Sequence, residues 1–174
     1  MKKILVVVDI QNDFVDGALG TAEAQAIIEN AANKIKNFDG GIFVTYDTHY
    51  ENYMDTLEGK KLPVLHCVKG TDGWELNSKI AKALAQKEYK TVEKLTFGSV
   101  DLPRLIKESI GDDKAEITLI GLCTDICVVS NALLLKANLP DAEIFVDSSC
   151  CAGVTPQTHN AALYTMRCCQ INIL

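Results

Sequence analysis

The sequence predicts a three-layer α/β/α fold built on a mostly parallel sheet of about six strands. Two observations carry this. Apolar, β-branched runs alternate with helix-like stretches along the 174 residues, the pattern of strands joined by crossover helices. Several runs, such as Ile4-Leu5-Val6-Val7-Val8 and Ile117-Thr118-Leu119-Ile120, are almost continuously hydrophobic. A strand of that kind is covered on both faces, which a parallel sheet between two helix layers provides. The length and a 48% hydrophobic share suit one domain over residues 1–174 with a sizeable core.

The elements follow in order. Residues 3–9 read as a strand that Asp9 ends. The start is basic and then apolar, but the apolar run is short and no small-residue cleavage site follows, so it reads as a buried strand rather than a secretory leader. Residues 22–37 form a helix and 41–47 the second strand, closed by Asp47. Segment 48–73 breaks the rhythm: it is long and polar and contains Pro63 and three glycines. Loops of that length inside compact domains usually carry function. A helix over 75–86 and a third strand over 89–95, running through Lys94, restore the alternation. Then come a helix at 102–109, a strand at 116–121, a helix at 125–138, a strand at 143–147, a helix at 156–167 and a last strand at 170–174.

Composition weighs against several classes of partner. The net charge of −6, from 17 basic and 23 acidic side chains, argues against nucleic acid and against an anionic membrane surface. No apolar stretch is long enough to span a bilayer. Seven cysteines, an odd number without a secretory signal, do not read as a disulfide framework, so the expected compartment is the reducing cytoplasm.

Open α/β sheets bind ligands beyond the carboxyl ends of their strands. Those ends carry Asp9, Asp47 with His49 two residues on, Lys94, and the run Gly121-Leu122-Cys123-Thr124-Asp125-Ile126-Cys127. Any one of these could be a turn former; together they point to a site. Cys127 has the strongest case among the cysteines. Thr124 or Asp125 can cap the following helix, which puts Cys127 in its first turn, where free N–H groups and the helix dipole favour a thiolate and could hold an oxyanion. Cys150, Cys151, Cys168 and Cys169 lie at element ends with no acid in view and fit structural roles.

The motifs narrow the chemistry. Val8-Asp9-Ile10-Gln11-Asn12-Asp13-Phe14 resembles the D-x-Q-x-D-F opening of the isochorismatase-like cysteine hydrolases, and Gly121 to Val128 resembles their G-x-x-T-x-x-C-V nucleophile motif. Lys94-Leu95-Thr96-Phe97-Gly98-Ser99 resembles their lysine motif in a shifted register. The resemblance covers essentially the whole chain. It implies a triad of Asp9, Lys94 and Cys127, an oxyanion hole from the Cys123 and Cys127 N–H groups, and a cis peptide at Leu122–Cys123. In these roles Asp9 takes the thiol proton, Lys94 supplies a positive charge, and Cys127 forms a thioester. Asp13 belongs to the opening motif, with a turn-stabilising role as the alternative. Phe14 and Phe97 are candidates to flank a flat aromatic substrate, with core packing the alternative for each, and Trp74 to wall the pocket.

Asp47-Thr48-His49, followed by His66-Cys67-Val68-Lys69-Gly70-Thr71, looks like the metal site of the nicotinamidase branch. A further histidine common in that branch is missing here, and Glu58 is the expected replacement ligand beside Asp47, His49 and His66. Mixed N/O donors suit Zn²⁺, with Mn²⁺ or Fe²⁺ as alternatives. His159 is expected to be a surface or packing residue. The resemblance thus implies an amidohydrolase converting nicotinamide to nicotinate and ammonia, working as a homo-oligomer. The rivals are amidases for carbamoyl, ureido or maleamate-type substrates, an isochorismatase, and a non-catalytic binding protein.

Overall fold

The computed structural model describes residues Met1–Leu174. Six strands form a single sheet: β1 Lys2–Val8, β2 Gly41–Asp47, β3 Lys90–Lys94, β4 Ala115–Leu122, β5 Glu143–Ala152 and β6 Asn172–Ile173. Their order is β3-β2-β1-β4-β5-β6, and every neighbouring pair is parallel. Strands β1 and β4 sit side by side at the centre, where the order reverses, and a crevice opens beyond their carboxyl ends.

The alternation of side chains along β1 explains the layers. Ile4, Val6 and Val8 enter one core and Leu5 and Val7 the other. Each core holds 23 buried residues, so neither face of the sheet is left to solvent. Fully burying a side chain of this size contributes about 1.5–3 kcal/mol. One face is covered by α6 Leu102–Ile110, α7 Val129–Asn138 and α8 Pro156–Cys168. The other takes α1 Asn12–Val15, α2 Ala22–Ala26, α3 Ile28–Asn37 and α5 Ser78–Leu84; α4 Leu57–Lys61 lies in the long loop.

Boundaries differ from the sequence-based expectation where local contacts intervene. The helix expected over 22–37 divides at Ile27, whose N–H turns back to the Gln25 carbonyl. The helix expected from residue 75 starts at Ser78, because Asn77 accepts the Lys79 N–H and caps it. The helix expected from residue 125 opens with a wider π turn, Thr124–Val128, before α7 begins. Strand β5 runs past residue 147 through an irregularity: Leu119 pairs with Val146 but Gly121 pairs with Cys151. The extra residues on β5 are held locally, with Asp147 accepting from the Ser149 N–H and hydroxyl and Ser148 donating to the Leu174 carbonyl. The long loop is not structureless. It contains α4, capped by Thr56, and short 3-10 turns at Tyr53–Asp55 and Asp72–Trp74.

Candidate active site

The parallel register brings the strand ends together. Val8 pairs with Thr45 on one side and Gly121 on the other, so Asp9 emerges between β2 and β4. Asp47 and Lys94 pair directly across β2 and β3. Cys127 follows β4 in the π turn. The Leu122–Cys123 peptide bond is cis, as the resemblance implies.

Lys94 sits at the centre of this group. Its Nζ lies 2.6 Å from Asp9 Oδ2, 3.1 Å from Asp47 Oδ1 and 3.5 Å from Cys127 Sγ. All four residues are buried. Asp9 Oδ1 also accepts the Thr45 hydroxyl at 2.6 Å. Burial works to neutralise Lys94, but the carboxylates of Asp9 and Asp47 outweigh it and keep the ammonium charged. Asp9 is raised above the usual carboxylate range, chiefly by burial, with Lys94 opposing. A raised carboxylate is a better proton acceptor for a thiol. The expectation of a favoured thiolate needs correction. Burial pushes the Cys127 thiol well up, Asp9 adds to this, and Lys94 only opposes it, so the resting sulfur keeps its proton. Neither Thr124 nor Asp125 caps the helix: the π turn has no side-chain cap, and both side chains bond elsewhere. The Cys123 N–H has no acceptor within the protein.

Beside this cluster, oxygen and nitrogen donors of Asp47, His49 and His66 lie within 4.8 Å of one another. His49 Nε2 is 3.1 Å from Asp47 Oδ2 and 3.5 Å from Glu58 Oε1; His66 Nε2 is 3.5 and 4.0 Å from the same two oxygens. Asp47 thus turns one oxygen to Lys94 and the other to the histidines. Its carboxyl is held well below the usual range: burial opposes ionisation, but the adjacent His49 and His66 rings and the charge of Lys94 prevail. The donor set fits a divalent cation on two counts. His49 Nε2 is buried with no hydrogen-bond partner. His66 Nδ1 lies 2.7 Å from the Val64 carbonyl, which needs the proton on Nδ1 and leaves Nε2 a bare lone pair. Burial raises the Glu58 carboxyl, against the pull of His49.

Cys123, Cys127, Asp47, Glu58 and His66 line one cavity of about 190 Å³, whose remaining wall is largely apolar, including Phe14 and Phe97. Pockets that take drug-sized ligands measure roughly 300–1,000 Å³, so this smaller cavity suits a single small ring. Trp74 does not line it: the indole packs on Tyr46 at 5.0 Å and donates to Thr48. Asp13 accepts the Cys67 N–H at 2.7 Å and so ties the His66 segment to α1.

Residues 3–173 match the isochorismatase domain. The chain belongs to the isochorismatase domain family. Within it, the isochorismatase family protein PncA of Bacillus subtilis is 35% identical over 147 residues, 76% of this chain and 78% of that protein. The nicotinamidase/pyrazinamidase of Mycobacterium tuberculosis is 28% identical over 99% of this chain and 98% of its own. The crystal structure of the nicotinamidase/pyrazinamidase PncA from Bacillus subtilis superposes with a TM-score of 0.85 at 26% identity, covering 99% of each chain.

Three residues of this isochorismatase domain were not singled out from sequence. Gln11 is fully buried; it accepts the Asp47 N–H and donates to the carbonyls of Asp47 and Trp74. Thr45 orients Asp9. Tyr53 packs against both His49 and His66, at ring distances of 4.5 and 5.0 Å. Gln11 had a signal, its place in the opening motif; the other two had none.

Proposed function

We propose that this isochorismatase domain hydrolyses nicotinamide to nicotinate and ammonia through a thioester on Cys127. The single observation that carries the reading is the buried Asp9–Lys94–Cys127 cluster, whose Cys127 lines one small, largely apolar cavity together with Asp47, Glu58 and His66. The nicotinamidase relatives support the substrate. Residues 1–174 act as one domain, in a cytoplasmic homo-oligomer. No helix is long and apolar enough to cross a membrane.

The chain's own groups account for each step. Phe14 and Phe97 bracket the ring in the cavity. Cys127 Sγ attacks the amide carbon as its proton passes to Asp9, and Lys94 stabilises the sulfur anion as it forms. The Cys123 and Cys127 N–H groups hold the oxyanion. Collapse breaks the C–N bond, Asp9 returns the proton to the leaving nitrogen, and ammonia departs. Water, deprotonated by Asp9, then cleaves the thioester and restores the thiol. Asp47, His49, Glu58 and His66 would hold a divalent ion, Zn²⁺ or in its place Mn²⁺ or Fe²⁺. When bound, the ion supplies a Lewis acid that orients the ring nitrogen.

Ammonia release from nicotinamide and benzamide tests this. Benzamide keeps the ring and carboxamide but lacks the ring nitrogen, so it should be a poor substrate. Cys127→Ala should be inactive and folded. Equal turnover of the two amides, indifferent to chelator, would replace this reading with a metal-independent amidase.

A further inference from the structure

The turn that carries Cys123 and Cys127 is also held from outside the catalytic cluster. Thr124, its first residue, is fully buried, and its Oγ1 lies 2.8 Å from Nδ1 of His159 on α8. Asp125, the next residue, accepts the Val154 N–H at 3.1 and 3.2 Å through its two carboxylate oxygens. Gly153 lines the cavity and has no room for a side chain: a Cβ there would meet the backbone and Cβ of His159 at 2.9 Å. Helix α8 therefore seats directly on the exit of β5 and reaches the turn through one imidazole. The turn's other bonds run to its backbone: the Ile126 and Val128 N–H groups go to the Cys123 carbonyl, the Val129 N–H reaches the Ile126 and Thr124 carbonyls, Ser130 Oγ donates to the Ile126 carbonyl and Asn131 Nδ2 to the Cys127 carbonyl at 2.8 Å. None of them holds the Thr124 side chain.

We infer that His159 is a positioning residue for the nucleophile turn, acting through its hydrogen bond to Thr124. The bond holds Cys127 Sγ against Lys94 and keeps Cys123 at the cavity wall. This rests on the reading of Cys127 as the nucleophile. Loss of the bond lets the turn shift outward, and a misplacement of about 1 Å costs a reaction on the order of 100-fold.

The test deletes the bond from each side. His159→Phe and Thr124→Val remove it, while His159→Asn keeps a hydrogen-bonding atom in place of Nδ1. Two rates are measured: alkylation of Cys127 by iodoacetamide without substrate, and kcat for nicotinamide. Both should fall about 10- to 100-fold in the deleting variants, with little change in KM. The double variant should be no slower than the worse single one, since both remove the same bond. His159→Asn should recover most of the loss. If His159→Phe does not fold, Thr124→Val carries the same comparison. Alkylation at or above the native rate in the deleting variants overturns the proposal. So does a His159→Asn variant as slow as His159→Phe, or losses that add in the double variant. Alkylation needs no substrate, so it judges the contact even where nicotinamide is not turned over.

Discussion

Lys94 shares one positive charge among Asp9, Asp47 and the Cys127 sulfur, all within 3.5 Å of its Nζ. Its ammonium is raised above its ordinary value, so its stabilising contribution is intact below that value and is lost only as pH climbs through the folded one. At neutral pH the lysine is therefore fully charged and depends on its anions. Asp9→Asn should do two things. The rate of amide hydrolysis should fall by about 10²–10⁴-fold, because an amide cannot take the thiol proton. Stability should also drop by about 3–5 kcal/mol, as expected when one partner of a buried pair is removed. Ammonia release on folded protein and urea unfolding measure the two separately. Native stability in Asp9→Asn would mean that Asp47 alone satisfies Lys94.

At the scale of elements, the site depends on how closely β1, β4 and β5 approach. Gly121 has φ +124°, and a Cβ there would collide with the Val8 carbonyl oxygen. Gly121→Ala should cost about 1–3 kcal/mol from the backbone alone and push β1 away just before Asp9. Urea midpoint and activity should fall together; loss of neither would show that the strands can separate freely. The bulge of β5 is tied to α3 by Lys34 Nζ and Asp147 Oδ2, 2.9 Å apart. Burial opposes ionisation of Asp147, but hydrogen bonds from Ser149 and Lys34 and the lysine charge hold its carboxyl below the usual range. A depressed carboxylate stabilises above its unfolded value, and that stability is lost as pH falls through the folded one. Asp147→Asn should therefore flatten the acid side of the stability–pH curve below about pH 4. An unchanged slope would remove this pair from acid unfolding.

Across the whole molecule, the proposed metal-ligand set joins the sheet to the long loop. Asp47 ends β2, while His49, Glu58 and His66 lie in the loop or on α4. An ion that binds this folded arrangement at 100 times its Kd should add about 2.7 kcal/mol of stability. For a domain of this length that is a rise in Tm of about 5–10 °C. Chelation should reverse it, and His49→Ala should abolish it. A Tm indifferent to Zn²⁺, Mn²⁺ and Fe²⁺ would argue against the ion.

The strand runs and the motifs around Asp9 and Cys127 were legible in the sequence because they are local: a strand buried on both faces must be apolar throughout. Lys94 was legible as a strand-end residue, but its place in the triad came only through resemblance, since a lysine at a strand end has no local mark of burial. The same limit applies to Glu58, whose helix α4 was hidden in an apparently irregular loop. Trp74 was expected at the pocket from its place near the loop's end, but its contacts with Tyr46 and Thr48 come from the folded loop. The Cys127 environment shows the same division. Position after β4 followed from the chain, whereas the protonation state followed from burial, which no short window contains. The sequence by itself determined the alternation, the order of the strand ends and the residue types gathered there. Only the tertiary structure decided which of them touch. Thr45 and Asp9 are 36 residues apart, as are Gln11 and Asp47, and His159 and Thr124 are 35 apart. Hydrogen bonds and ion pairs act over a few ångströms, so contacts at such separations exist only once parallel register and helix packing have closed the distance.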